Sequence, residues 1–328
     1  VKRLTLAVAV LAALTAGAWL TMLRMPGSSH HGPLGPLAES ERALGDELRR
    51  HVGMLAGEIG ERHVLAPRGL ARAADYLDAA LARAGYRVRR QTYQVAGQPC
   101  HNLEVERPGA SRAGEVVVVG AHYDTVIGSP GANDNASGTA ALLVLARRFA
   151  DRSPARTLRF VAFVNEELYF QQPEMGSLVY ARSLRERGER VVTMISLETI
   201  GYYSDAAGSQ RYPPPLGLLY PSTGNFLGFV GNVGSRAQVR AALAAFRRHA
   251  RFPSEGAAVP AILPGVSWSD HWAFWQAGYP ALMVTDTAPY RYPWYHAPGD
   301  TPDRLDYDRL ARVVAGLEAM LAELAGLP

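Results

Sequence analysis

Cysteine and lysine are almost missing from this 328-residue chain. Cys100 is the only cysteine, so no disulfide can close within the chain and a thiolate metal cluster is excluded. Lys2 is the only lysine, and the formal charge of +4 (pI near 9.2) is therefore carried by arginine. Those arginines are interleaved with acids, as in Arg182, Arg185, Glu186, Arg187 and Glu189, the pattern of solvated helix faces. No basic stripe is present, which argues against nucleic acid as a partner. No serine sits in a nucleophile elbow; Ser269, Asp270 and His271 are consecutive and cannot meet in triad geometry. Internal repeats are absent, and no segment points to an obligate protein partner. With 48% hydrophobic and 20% charged residues, the chain has the composition of a globular protein with a large core.

The N-terminus holds one long apolar run. Leu4 to Leu23 carries no charge and is bracketed by Lys2-Arg3 and Arg24. Twenty such residues are enough to span a bilayer as a helix. Ala16-Gly17-Ala18 also fits a cleaved signal peptide, but the run is long for that, which favours a signal anchor over residues 1–25. Basic residues at the start keep that end cytoplasmic. The expected location is the cell envelope, anchored through residues 4–23 with the rest of the chain outside the cytoplasm; secretion after cleavage is the alternative. Residues 26–36, rich in Pro, Gly, Ser and the pair His30-His31, read as a linker, and residues 37–328 as one catalytic domain.

Helical periodicity marks 38–60, with Leu44, Leu48, Val52 and Leu55 on one face, and 69–84. Segments 87–95 and 102–106 read as extended. Strands are then expected at 115–120, 158–164, 191–197, 225–230 and 281–284, and helices at 136–150, 177–187, 237–249, 270–277 and 306–325. This alternation predicts an α/β fold with a largely parallel, mixed central sheet and helices on both faces. His51, His63 and His249 fall on helices or their ends and are expected at the surface.

In such sheets ligands bind at the carboxyl ends of the strands. The 115 strand ends in His122-Tyr123-Asp124, and the loop after it holds Asp134. The next strand ends in Glu166-Glu167, the third in Glu198, and His296 follows far downstream. Acids crowded together repel one another unless a cation offsets them. Imidazole and carboxylate without thiolate suit zinc. Two histidines and three carboxylates suit a metal pair with one bridging acid, which leaves one glutamate of the 166–167 pair free as a general base.

The segments GAHYDT, GANDNASG, NEE followed by MGS, SDHWAFWQAGYPA and YHAPGDT occur in this order between residues 100 and 310. Together they resemble the zinc exopeptidase family of bacterial dizinc aminopeptidases, which also contains the glutaminyl cyclases (metallopeptidase family twenty-eight). The resemblance implies a zinc-exopeptidase-like domain and an enzyme that binds two Zn2+ and hydrolyses N-terminal residues of peptides. It implies that Asp134 bridges the metals, that His122 and Glu198 complete one site and that Glu167 and His296 complete the other. Glu166 is then the general base, and Asp124 the partner that fixes the His122 ring. His271 is expected to be a supporting or structural residue. Glu198 departs from the aspartate that such aminopeptidases often have there, and is one methylene longer. Two alternatives remain: a single-zinc glutaminyl cyclase on the same fold, and a non-catalytic peptidase-like ectodomain. Tyr290, Tyr292, Trp294 and Tyr295 are candidates to line a pocket for apolar or aromatic side chains.

Overall fold

The computed structural model describes Gly17, residues 19–214 and residues 216–327. Most of the apolar run, and with it the expected membrane helix, lies outside the described residues. Among the described residues no helix is long and apolar enough to cross a membrane. The end of the run, Trp19–Leu23, forms a short π-helical turn.

Eight strands make one mixed sheet in the order β1-β2-β4-β3-β5-β8-β6-β7. They are β1 (Arg89–Val95), β2 (Gln98–Arg107), β3 (Arg112–His122), β4 (Arg156–Phe163), β5 (Arg190–Glu198), β6 (Leu227–Gly231), β7 (Ser254–Ala258) and β8 (Ala281–Thr285). The central strands β4, β3, β5 and β8 run parallel, as do β6 and β7; the pairs β1/β2, β2/β4 and β6/β8 are antiparallel. The valine run of β3 shows why a central strand is uniformly greasy. Val117 and Val119 enter the core on one face of the sheet, while Val116 and Val118 enter the core on the other, because successive side chains point to opposite faces.

Helices α1 (Glu39–Val52), α2 (Pro67–Arg83), α3 (Gly138–Phe149), α5 (Arg236–His249) and α7 (Tyr307–Ala325) bury their apolar stripes in the first core. Helices α4 (Gly176–Glu186) and α6 (His271–Gln276) cover the second, where Tyr180, Leu184 and Phe274 meet Phe163 and Met194. The expected helix over 38–60 ends at Val52 and continues as the π-helical segment Gly53–Ile59. β7 was not anticipated. Its sequence, Ser-Glu-Gly-Ala-Ala, has little of the β-branched and aromatic character that marks strands, and its pairing with β6 defines it.

The loop from β3 to α3 is fixed by a buried cation. The Arg62 guanidinium, with no solvent exposure, donates to the carbonyl oxygens of Leu55, Gly60, Tyr123, Pro130 and Gly131 at 2.6–3.1 Å. Burial lowers its pKa to about 10, opposed by Asp124, Asp300, Asp134 and Glu167, so it stays charged at neutral pH. Gly131 adopts φ +61°, and a Cβ there would lie 2.3 Å from the Asp134 carbonyl oxygen. Beyond it, Ala132–Ser137 is an irregular turn in which Asp134 and Asn135 leave helical φ/ψ and their shared peptide is cis. At the start of α3, Gly138 abuts the Leu197 carbonyl oxygen at the end of β5; an added Cβ would sit 2.4 Å from it.

Replacing Arg62 by Met removes the side-chain donor from five carbonyl oxygens, of which those of Leu55 and Gly131 keep a backbone N–H partner. It should destabilise the protein by about 3 kcal/mol or more in urea titration. Gly138→Ala should gain up to about 1 kcal/mol of helix propensity yet be destabilised on balance, since overpacking costs about 1–3 kcal/mol. A Gly138→Ala protein as stable as the parent would show that α3 can move away from β5.

Candidate metal centre

The strand ends deliver the predicted residues to one place. His122 is the last residue of β3 and Glu198 the last of β5; Glu166 and Glu167 follow β4 by three and four residues. Asp134 comes from the irregular turn before α3, and His296 from the loop after β8. His122 Nε2 lies 3.4 Å from Asp134 Oδ1 and 3.2 Å from Glu198 Oε2. His296 Nε2 lies 3.1 Å from Asp134 Oδ2 and 3.3 Å from Glu167 Oε2. The two oxygens of one carboxylate thus face two different His–Glu pairs. Potential ligand atoms of His122, Asp134 and Glu167 all fall within 4.8 Å of one another.

Asp124 holds this arrangement by its carboxylate. Oδ1 accepts the Glu166 backbone N–H and Oδ2 the Glu167 backbone N–H, each at 3.1 Å. Its relation to the His122 ring is looser: Nδ1 is 3.3 Å from the Asp124 carbonyl oxygen and 3.6 Å from Oδ1. Asp300 repeats the device on the other side, accepting the backbone N–H groups of Asn133 and Asp134 at 2.7 and 3.0 Å and the Tyr292 hydroxyl at 2.8 Å. Ser269 donates to Glu198 Oε2 at 2.7 Å. The Tyr295 ring stacks on His296, with centroids 3.8 Å apart. His271 is fully buried on α6, its Nε2 2.7 Å from the Val266 carbonyl oxygen, and no hydrogen bond links it to the cluster.

The electrostatics of the site are those of too many acids in too little water. Burial and the neighbouring acids Glu167, Glu198 and Asp270 push the Glu166 carboxyl well above the usual range, although His122 opposes them. Burial lifts Glu167 to about 8 and Asp270 to about 7, and raises Glu198. For Asp134 burial pulls upward, but His122 and His296 win and hold it low. Burial pulls His296 down, and Asp134 and Glu167 carry it up to about 10. Asp134 Oδ1 and Glu167 Oε1 are buried without any hydrogen-bond partner, a costly condition for a carboxylate. Ligand atoms around a tetrahedral zinc at about 2.0–2.1 Å stand about 3.3 Å apart, close to the four imidazole-to-carboxylate distances of 3.1–3.4 Å. The donor set therefore fits zinc.

Sequence reasoning missed several contributors. Arg62 lies between helices with nothing local to mark it. Asp300 sits inside the YHAPGDT segment but carried no assignment there. Ser269 was considered only as a nucleophile, whereas it supports Glu198. Asp270 is fully buried with both carboxylate oxygens free of hydrogen bonds. His63 is not a surface residue: it is 3% exposed, with Nε2 2.9 Å from Glu61 Oε2. Of the four aromatics proposed for a pocket, Tyr290 and Tyr295 line an apolar cavity that reaches Glu198. Tyr292 instead serves Asp300, and Trp294 packs beneath the Arg304 guanidinium and beside Tyr202.

Known proteins share this framework. The chain is 38% identical over 286 residues to Uncharacterized protein YfbL of Escherichia coli (strain K12), covering 84% of this chain and 87% of that one. Its fold is similar to that of a zinc aminopeptidase from Bacillus subtilis (TM-score 0.68, 16% identity, 85% of this chain and 94% of the other). It is also similar to that of Fimbriiglobus ruber glutaminyl cyclase (TM-score 0.62, 21% identity, 90% and 98%). The model of Peptidase family M28 matches residues 102–321, a span that takes in all six residues of the metal-site constellation, and the chain belongs to that family.

Proposed function

We propose that the protein is a dizinc aminopeptidase. The observation that carries this reading is the division of Asp134, whose two oxygens face separate His–Glu pairs. One zinc would be held by His122, Asp134 and Glu198, the other by Asp134, Glu167 and His296. Bound there, the metals supply Lewis-acid polarisation of the scissile carbonyl and a water acidified towards a pKa of about 7. Of the three strand-end glutamates, Glu167 and Glu198 contact an imidazole and Glu166 does not, and its backbone is clamped by Asp124. As general base it takes the proton of the attacking water and returns it to the leaving amine. The excess of carboxylates suits a cationic substrate amino terminus and so an exopeptidase.

The cavity that begins at Glu198 and Tyr295 is walled by Tyr212, Phe226, Val230, Val259 and Met283. It would receive the side chain of the N-terminal residue and favour large apolar ones. Residues 4–23 would anchor the chain in the membrane of the cell envelope, with the metal site outside the cytoplasm.

Measuring zinc per chain together with amino-acid release from peptides blocked or free at the N-terminus tests the assignment. About two zinc per chain and activity on free N-termini only is the expected result. About one zinc, with pyroglutamate formed from N-terminal glutamine and no hydrolysis, would replace this reading with a cyclase. Glu166→Gln should keep its metal and lose about 10²–10⁴-fold in kcat, whereas Asp134→Ala should lose metal as well; near-normal turnover of Glu166→Gln would remove Glu166 as the base. Val230→Asp should lower kcat/KM for leucyl peptides at least about tenfold more than for alanyl peptides. Equal losses would place the side-chain pocket elsewhere.

A further inference from the structure

Nine large apolar side chains are exposed among the described residues, and six of them belong to three short segments: Trp19 and Leu20, Leu218 and Leu219, Ile262 and Trp268. Leu218 and Ile262 are almost fully exposed, at 88% and 91%. These segments converge. Met22 and Leu23, from the first, pack with Tyr220 and Leu263, from the ends of the other two, against Val259 and Val266. Tyr220, Val259 and Val266 are at the same time walls of the apolar cavity that reaches Glu198, and Leu216, Pro264 and Trp268 line it too. One side of the candidate pocket is thus continuous with an exposed apolar face.

The sequence keeps charge away from this face. Residues 212–235 and 256–269 contain no Asp, Glu, Lys or Arg, in a chain that is 20% charged. An apolar patch of this kind marks an interaction surface. Its occupant is indicated by where the N-terminal run arrives. The Arg240 guanidinium holds the Arg24 carbonyl oxygen, the Arg247 guanidinium holds the Pro26 carbonyl oxygen at 3.0 Å, and Ser29 Oγ accepts the Ser254 backbone N–H at 2.9 Å. The segment directly after Leu23 is therefore tied to α5 and to the start of β7, with no free linker between the run and this face. A twenty-residue uncharged run has bilayer length, and tryptophan and arginine at its end suit the lipid–water boundary.

We propose that the face formed by Trp19–Leu20, Leu218–Leu219 and Ile262–Trp268 rests on a lipid bilayer, so that the apolar pocket beside Glu198 opens at the membrane surface. The proposal rests on residues 4–23 being a membrane segment and adds an orientation to it. Substrates would be peptides whose apolar N-terminal residues lie at that surface.

The test uses the full chain with vesicles of phosphatidylcholine and phosphatidylglycerol. Cys100 is buried, so Leu218→Cys, Ile262→Cys and Arg89→Cys can each be labelled with an environment-sensitive fluorophore, unsubstituted protein serving as the labelling control. Arg89 lies on β1, the opposite edge of the sheet from β7. The expected result is flotation of all three proteins with the vesicles. Emission should shift to the blue and be quenched by doxyl-labelled lipid at 218 and 262, but not at 89. Flotation with labels at 218 and 262 as water-exposed as at 89 would overturn the orientation and leave the anchor standing. Failure to float would overturn both. Turnover plays no part in the readout, so neither outcome depends on the peptidase reading.

Discussion

Asp124, Asp134, Glu166, Glu167, Glu198 and Asp270 are gathered, their carboxylates largely buried, beside the buried imidazole of His122 and the exposed one of His296, and the rest of the structure is arranged around that crowding. Like charges at such distances repel strongly in a low dielectric, so nothing about the acids themselves would hold them together. The protein fixes them through the backbone instead. Asp124 grips the main chain of both Glu166 and Glu167, Asp300 grips that of Asn133 and Asp134, and Arg62 ties down the carbonyls of the connecting loop. Each of these contacts survives whatever the protonation or metal state of the ligand oxygens, because it uses a different part of the residue.

The same rigidity is visible in the backbone conformation. Asn165, Thr199 and His296 all adopt positive φ, a region that costs a non-glycine residue roughly 1–3 kcal/mol when it is enforced. Asn165 precedes Glu166, Thr199 follows Glu198, and His296 is itself a member of the cluster. Parallel strands bring chain segments to one edge but aim their last side chains across the sheet faces. Asn165 sits between the end of β4 and Glu166, and Thr199 directly after Glu198, so the left-handed backbone ends the strand direction beside a residue of the cluster. The strain is therefore placed where the fold's regular geometry stops being useful for building a site.

That division explains what the sequence revealed. The β-branched run 116–119, the periodic helices and the order of elements follow from local pattern, and they were legible. The residues that cluster at the candidate metal centre were legible because they stand at strand ends or within compact, recognisable segments. Arg62 and Asp300 were not, since the contacts that tie them to the loop between β3 and α3 join residues 61–69 and 166–167 positions apart, and no periodicity encodes such a pairing. His63 looks like a polar residue near a helix until the loop carrying Glu61 folds back beside it. β7 escaped because Ser-Glu-Gly-Ala-Ala gains its extended form from the neighbouring strand rather than from its own side chains.

Glu198 shows how the fold absorbs a departure within the constellation. A glutamate has one more rotatable bond than an aspartate, so its carboxylate must be restrained if it is to stay beside His122. Ser269 provides the restraint by donating to Oε2, and a serine hydroxyl has only one proton to give. The 2.8 Å contact between Ser196 Oγ and Ser269 Oγ must then run from Ser196 to Ser269. Ser196 lies two residues before Glu198 on the same strand, so both side chains point to the same face of the sheet. The strand that supplies the longer acid also supplies the hydroxyl that steadies its partner. The position of Oε2, 3.2 Å from His122 Nε2, is thereby set by a closed path through β5 and the segment before α6, and the added methylene need not loosen that side of the metal centre.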